Sequence, residues 1–387
     1  MKFKLLRELA SLFLKLGTLS FGGPAAHIAL MEEEVVKRRG WITHEYFLDL
    51  LGATNLIPGP NSSEMAIHIG YLRAGWMGLL VAGICFISPA VFITLLLARI
   101  YVQFGSIPQV GEFVWGIRAG VIAVILAAIF RLSKPVIKSR FILLASVAVC
   151  ALNLLRVDEV LLLIAAGIAG LLWANRNRFS GRSLSMFMVV FLPAAIGTAG
   201  VAGASHLSPA PTVTSLGLFF LKIGSILYGS GYVLVAFLQG DLVDSRHWLT
   251  QAQLLDAIAI GQFTPGPVLS TATFIGYLIL GVPGAAAATI GIFLPSFIFV
   301  LLTGRFVPRL RKSPSSAGFL DGVNAASLGL MLSVCITLGV TTLQGLGSWI
   351  IFLAAGAAVV RLKIHAGWVI GGAAAAGWIL SLVGIIS

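Results

Sequence analysis

Residues 13–60 align without a gap on residues 220–267, and 15 of the 48 pairs are identical. Lys15 falls on Lys222, Gly17 on Gly224, Gly22 on Gly229, Arg39 on Arg246, Trp41 on Trp248 and Asp49 on Asp256. Pro58-Gly59-Pro60 then falls on Pro265-Gly266-Pro267. After a one-residue deletion the match resumes, with Gly70-Tyr71-Leu72 on Gly276-Tyr277-Leu278, Gly75 on Gly281, Pro89 on Pro295 and Arg99 on Arg305. It continues more weakly with Phe113 on Phe319 and Gly116 on Gly322. A repeat of this length makes the chain one folding unit used twice, and any fold assigned to it must contain that duplication.

The unit is built for lipid. Charged residues are 10% of the 387 and apolar ones 58%, with a mean hydropathy of +1.00; a soluble domain carries about 25% charge. Six apolar segments are read in the first copy, near 11–30, 45–72, 76–98, 113–132, 141–155 and 158–174. They recur near 216–238, 250–278, 283–304, 319–340, 347–361 and 366–386. One unmatched apolar stretch, near 185–204, follows the polar linker 175–182. The expected organisation is a first repeat at 1–174, a linker with an extra transmembrane helix at 175–210, and a second repeat at 211–387. An even-numbered unit followed by one extra span enters its second copy from the opposite side, so an all-α polytopic protein with two inverted repeats and broken helices is predicted.

Basic residues collect on the cytoplasmic side of membrane proteins. With the N-terminus cytoplasmic and thirteen crossings, 18 of the 26 Lys and Arg fall inside and five outside: Lys37, Arg38, Arg39, Arg99 and Arg156. The Lys37-Arg38-Arg39 loop fits this scheme poorly. It lies beside Glu32-Glu33-Glu34, which offsets its charge.

Pro58-Gly59-Pro60 and Pro265-Gly266-Pro267 each interrupt an apolar run, and neither residue type sustains a helix there. Irregular backbone at membrane depth survives only where it lines a cavity or is buried in protein, and paired breaks in two inverted halves point to a substrate site near the midplane. The restarting helices would aim N–H groups at an oxyanion. Asn61, Ser62 and Ser63 add donors in one copy, and Ser270 and Thr271 in the other. The competing reading is a kink that only shapes packing. Gly22-Gly23-Pro24 and Gly229-Ser230-Gly231 break the first segment of each half, where small residues also permit close helix packing.

Charges inside apolar segments carry the remaining candidates. Lys15 and Lys222 either attract the anion or snorkel to a helix end. Asp49 and Asp256 either carry protons or pair with Arg39 and Arg246. Glu64 has no acidic counterpart in the second copy and is the more suggestive proton carrier. Arg118 and Asp321 start equivalent segments and are expected to pair across the pseudo-twofold axis.

Other chemistries have no support in the residues. The net charge of +12 follows from basic loops, and no Arg/Lys cluster is interleaved with exposed aromatics, so nucleic-acid binding is not expected. Cys85, Cys150 and Cys335 read as packing residues. The six His have no metal-site spacing. Neither a Walker loop, a G-x-S-x-G elbow nor an HExxH helix occurs, so no enzyme, cofactor or metal is expected. The basic start of the chain lacks a small-residue cleavage site, and a removed signal peptide is not expected.

Phe21-Gly22-Gly23-Pro24, the Trp41 segment, Leu56-Ile57-Pro58-Gly59-Pro60, Gly70-Tyr71 with Gly75 and Gly78, and Phe86-Ile87-Ser88-Pro89 recur about 206 residues later. In order, spacing and duplication they resemble the chromate ion transporter family in its long, two-domain form. The resemblance covers nearly the whole chain. It implies a bacterial inner-membrane protein that exports chromate, driven by the proton motive force, with two halves of opposite orientation. The partners it implies are chromate or its isostere sulfate, protons and membrane lipid; a homodimer is left open. Tyr228-Gly229-Ser230-Gly231 departs from the Phe-Gly-Gly opening, so the halves are not expected to bind alike. A passive channel and a membrane-embedded enzyme on a lipid-linked phosphate are the rival readings, and the enzyme would need a catalytic base and an acidic metal pair that the sequence lacks.

Overall fold

The computed structural model describes residues 2–20, 23–54, 57–104, 108–137, 139–175, 210–228, 233–303 and 314–382. The expected extra helix at 185–204, the linker that precedes it, and Gly22, Gly229, Ser230 and Gly231 lie outside them. The described residues form fourteen helices and no strand, as the apolar, Gly-punctuated sequence predicts. The first copy holds α1 (Lys2–Leu19), α2 (Gly23–Glu32, prolonged by a π-helical turn Glu33–Arg38), α3 (His44–Thr54), α4 (Asn61–Phe104), α5 (Pro108–Val136), α6 (Arg140–Leu154) and α7 (Glu159–Ala174). The second holds α8 (Val213–Ile226), α9 (Leu234–Phe237, prolonged by a π-helical turn Leu238–Ser245), α10 (Gln251–Phe263), α11 (Thr271–Thr303, after a 3-10 turn Val268–Ser270), α12 (Pro314–Thr342), α13 (Leu346–Val360) and α14 (Ala366–Leu382).

Stretches within Asn61–Phe104, Gly111–Lys134, Val268–Leu302 and Ala317–Thr342 are long and apolar enough to cross a bilayer; α6, α7, α8, α13 and α14 are shorter apolar helices. Large apolar side chains such as Phe92, Leu353 and Trp368 face outward, as a lipid-facing surface requires. The protein is a multi-pass membrane protein.

Contacts between residues on either side of each break show what the breaks do. Lys15 meets Glu34 at 2.8 Å and Glu8 meets Arg39 at 3.4 Å. The two pairs are centred in sequence within residues 23–25, so α2 folds back along α1. In the second copy Lys222 meets Asp241 at 3.5 Å, and that pair is centred on Gly231. Gly261 lies against Thr271, across Pro265-Gly266-Pro267. A continuous helix would hold residues ten apart about 15 Å from each other. Arg73 stacks over Trp41 at 4.8 Å, centred on Ile57 and Pro58. The described helices on the two sides of each break therefore fold back on one another, and the first two apolar segments of each copy are helical hairpins.

This corrects the loop assignment made from charge. Arg39 and Arg73 both reach Glu8 and both stack on Trp41, so Lys37-Arg38-Arg39 lies on the same face as Glu8 and Arg73. The poor fit of that loop came from counting a hairpin as a crossing.

A second reversal follows each hairpin. Ala74-Gly75 and Leu280-Gly281 leave helical geometry, with the glycines at φ +65° and +64°, a left-handed conformation that glycine adopts freely. Gly70 then lies against Gly78, and Gly276 against Gly284, with no room for a Cβ. The 44 residues of α4 are thus a short arm and a long helix.

The long helices show how the copies sit. On α5, Gly116 packs on Ala373 and Gly377 of α14, and Gly120 on Ala373, so these helices run antiparallel. In the twin contact Gly322 of α12 packs on Ala166 and Gly167 of α7, and Gly318 on Gly170 and Ala174. α6 and α7 are antiparallel neighbours, with Phe141 stacked on Trp173 at 4.9 Å. The long helices of α4 and α11, themselves twins, run antiparallel, with Gly83 against Phe297 and Leu79 clustered with Val300, and α5 runs against α14, the twin of α7. The two repeats are inverted, and each lends its last helix to the other. Small residues make the exchange possible by letting backbones touch.

Candidate functional site

Each Pro-Gly-Pro apex is tied to the other copy. The backbone N–H of Gly59 donates to the carbonyl of Leu227 at 2.7 Å, and that of Gly266 donates to the carbonyl of Ser20 at 3.0 Å. Gly59 and Gly266 are twins, as are Ser20 and Leu227. Each Pro-Gly-Pro apex is therefore bonded to the first-hairpin apex of the other copy. Proline removes a donor on both sides of each glycine, leaving the glycine N–H as the group that makes this bond. Both glycines have positive φ, +142° and +90°.

The two sides of this pseudo-twofold have diverged. At the first apex, Gly59 is walled by Glu64 of its own copy and Ser296 of the other. Glu64 and Ser296 are both fully buried, and neither oxygen of Glu64 nor the hydroxyl of Ser296 has a partner. Ser62 and Ser63 are buried in the same helical turn, Ser63 Oγ also without a partner. At the second apex, Gly266 faces Ala90, the twin of Ser296. Here Thr94 Oγ1 lies 3.3 Å from Ser270 Oγ and 3.4 Å from Thr264 Oγ1, and Thr271 caps back to the carbonyl of Val268 at 2.7 Å. One apex carries an unpaired acid, the other a chain of hydroxyls.

Pro58, Gly59 and Pro60 thus form one apex with Asn61, Ser62, Ser63 and Glu64 in the helix that starts there, and Pro265, Gly266 and Pro267 form the other with Ser270 and Thr271. Gly23 and Pro24 begin α2 at the neighbouring apex. Thr94, Thr264 and Ser296 were not singled out from sequence. The signal available was their alignment: Ser296 stands at the twin position of Ala90, and Thr264 just precedes a Pro-Gly-Pro.

The remaining charged candidates lie elsewhere. Lys15 and Lys222 are each ion-paired, to Glu34 and Asp241, so neither reading made for them anticipates their partners. Arg118 does not meet Asp321. It holds Asp256 with two bonds of 2.9 Å, and Tyr101 donates a third at 2.6 Å. Asp256 therefore does not pair with Arg246, which stacks on Trp248 and Phe219, and Arg39 takes Glu8 and Glu34. Asp321 is the twin of Trp115, and the expected pair failed because α5 faces α10 at this level. Asp49 lies exposed on α3. Among the described residues no group of His, Cys, Asp and Glu could hold a metal ion.

The chromate transporter family profile matches residues 7–171 and again residues 214–378. The chain belongs to the chromate transporter family. The two matches coincide with the inverted repeats. A chromate transport protein of Cupriavidus metallidurans is 32% identical over 92% of this transporter and 88% of its own length. One from Pseudomonas aeruginosa is 31% identical over 96% and 92%. An uncharacterized transporter of Bacillus subtilis is 28% identical over 88% of its length but only 39% of this chain, so a single unit exists as a protein of its own. No solved structure matches the transporter.

Proposed function

We propose that this transporter exports chromate across the bacterial inner membrane, driven by the proton motive force, with the oxyanion bound between the two Pro-Gly-Pro apices. The observation that carries the proposal is the reciprocal pair of bonds, Gly59 to Leu227 and Gly266 to Ser20. They tie the Pro-Gly-Pro break of each inverted repeat to the end of the first helix of the other, and paired broken helices in inverted repeats are where secondary transporters hold substrate. Helix starts and the hydroxyl of Ser270, which accepts from Thr94 and keeps its own proton to give, supply donors for a tetrahedral oxyanion. The relatives named for chromate transport support that ion; sulfate offers the same shape and charge. Glu64 is the proton carrier: a carboxyl at membrane depth with no partner is stable only when neutral. Asp256, held by Arg118, is the weaker candidate for this role.

A cytoplasmic N-terminus fits the hairpin topology. Lys37, Arg38 and Arg39 join the cytoplasmic set, and Arg246 moves to the opposite side with Arg99 and Arg156. Three opposite and three within helices (Lys15, Arg118, Lys222) leave 20 of the 26 basic residues on the cytoplasmic side.

Chromate accumulation in cells expressing the wild type, Pro58→Ala or Pro265→Ala, with and without an uncoupler, tests the reading. Lower accumulation in the wild type, abolished by the uncoupler or either substitution, is the expected result. Unchanged accumulation with the protein present in the membrane would rule out chromate.

A further inference from the structure

Glu64 and His68 stand four residues apart on the arm that follows Pro58-Gly59-Pro60, and Tyr71 lies three residues further. At this spacing side chains share one helix face, with Cβ atoms about 5–6 Å apart for the first two. Glu64 is 0% exposed and His68 2%. Buried polar groups normally have partners, yet neither oxygen of Glu64 nor Nε2 of His68 has one. The arm runs from the central apex to Arg73, which reaches Glu8 and stacks on Trp41 at the N-terminal face. The file of Glu64, His68 and Tyr71 therefore leads from the centre of the transporter toward that face.

The twin arm lacks this file. The match of Gly70-Tyr71-Leu72 to Gly276-Tyr277-Leu278 puts Phe274 at the place of His68, and a hydroxyl residue, Ser270 or Thr271, at that of Glu64. Phe274 is fully buried at the equivalent place on the twin arm, so the fold is built equally well without an imidazole. At the outer end of the file Tyr71 packs against the apolar cluster of Ile67, Leu79 and Val300. Tyr228 lies within electrostatic range of Glu64, and Ser296 stands against Gly59. Among the described residues no Lys, Arg, Asp or other Glu bears on Glu64 or His68.

We propose that His68 relays protons between Glu64 and the N-terminal face, so that the carboxyl exchanges its proton with that one of the two faces through this arm. In unloading, the O–H bond of the Glu64 carboxyl breaks as an N–H forms at Nε2 of His68, reached by side-chain rotation. The imidazolium then releases its Nδ1 proton to water toward the N-terminal face. Loading runs in reverse, and no other bond changes. This rests on the proton-coupled reading above and adds to it a path and a direction.

The test uses full-length protein in liposomes, with chromate uptake driven by an imposed pH gradient and, separately, chromate counterflow without a gradient. His68→Phe copies the twin arm, and His68→Gln keeps polarity without basicity. Gradient-driven flux is expected to fall about a hundredfold in both, while counterflow is retained. Absence of any response to the gradient in the wild type would overturn proton coupling itself. A normal response in the wild type and an equal one in His68→Phe would overturn the relay alone. If His68→Phe does not reach the membrane, His68→Gln decides by the same two readouts, joined by an internal pH dye that follows protons directly.

Discussion

The amide of Gly59 bonds the carbonyl of Leu227 at 2.7 Å, a residue 168 positions away and in the other repeat. Its twin bond joins Gly266 to Ser20 at 3.0 Å. Two short hydrogen bonds therefore hold the helix breaks of both repeats against each other, and each depends on a glycine whose neighbours on both sides are proline. The centre of the transporter is sensitive to changes too small to alter its hydropathy.

Gly59→Ala should be the most damaging single methyl addition. Its φ of +142° disfavours any other residue, and the new Cβ would strike Glu64 and Ser296. The dihedral alone costs about 1–3 kcal/mol, and the clash adds to it. Gly75→Ala, at φ +65° with open space around it, should cost only the left-handed strain, about 1–2 kcal/mol. Thermal unfolding in detergent separates the two; equal losses would mean that the apex is loosely packed.

Removing one partner of the Arg118–Asp256 pair strands the other. Arg118→Gln should destabilise by about 3–5 kcal/mol, the range for breaking a buried pair. Arg118→Gln combined with Asp256→Asn should recover most of that loss, because no uncompensated charge remains. A double variant as unstable as the sum of the singles would show that the residues act independently.

Gly116→Ala places a Cβ against the carbonyl of Ala373 and the backbone of Gly377, which cannot yield as a flexible side chain would. A loss of about 1–3 kcal/mol is expected. Gly339→Ala, in α12 with nothing within 4 Å, should instead stabilise by about 0.5–1 kcal/mol through reduced chain entropy. Opposite signs in melting temperature are the result to look for.

Glu34, at the N-terminal face, has its carboxyl held below the ordinary value of 4.5, chiefly by the hydrogen bond from Lys15 and against the opposing effect of burial. A carboxyl depressed in the folded state stabilises it fully above the unfolded value, and loses that contribution as pH falls through the folded value. The stability gap between wild type and Glu34→Gln should therefore be constant near neutral pH and close below about pH 4.5. A gap that widens on acidification would contradict the assignment.

The sequence alone determined the duplication, the membrane character, the positions of the breaks and the family, because these rest on composition, local backbone chemistry and order. Pro58-Gly59-Pro60 cannot continue a helix wherever it sits. Glu64 stood out because its twin position holds a hydroxyl residue.

Tertiary structure alone decided which apolar segments are hairpins. A run of some 20 apolar residues scores alike whether its helix crosses the bilayer or folds back at a break, since hydropathy is local while the reversal is defined by contacts such as Lys15 with Glu34. Partner choice was equally hidden. Arg118 meets Asp256 across 138 residues because inversion sets α5 against α10, and no periodicity along the chain encodes which helix faces which. Thr94 and Ser296 entered the site for the same reason: each is an ordinary helix residue until the opposite repeat is packed against it.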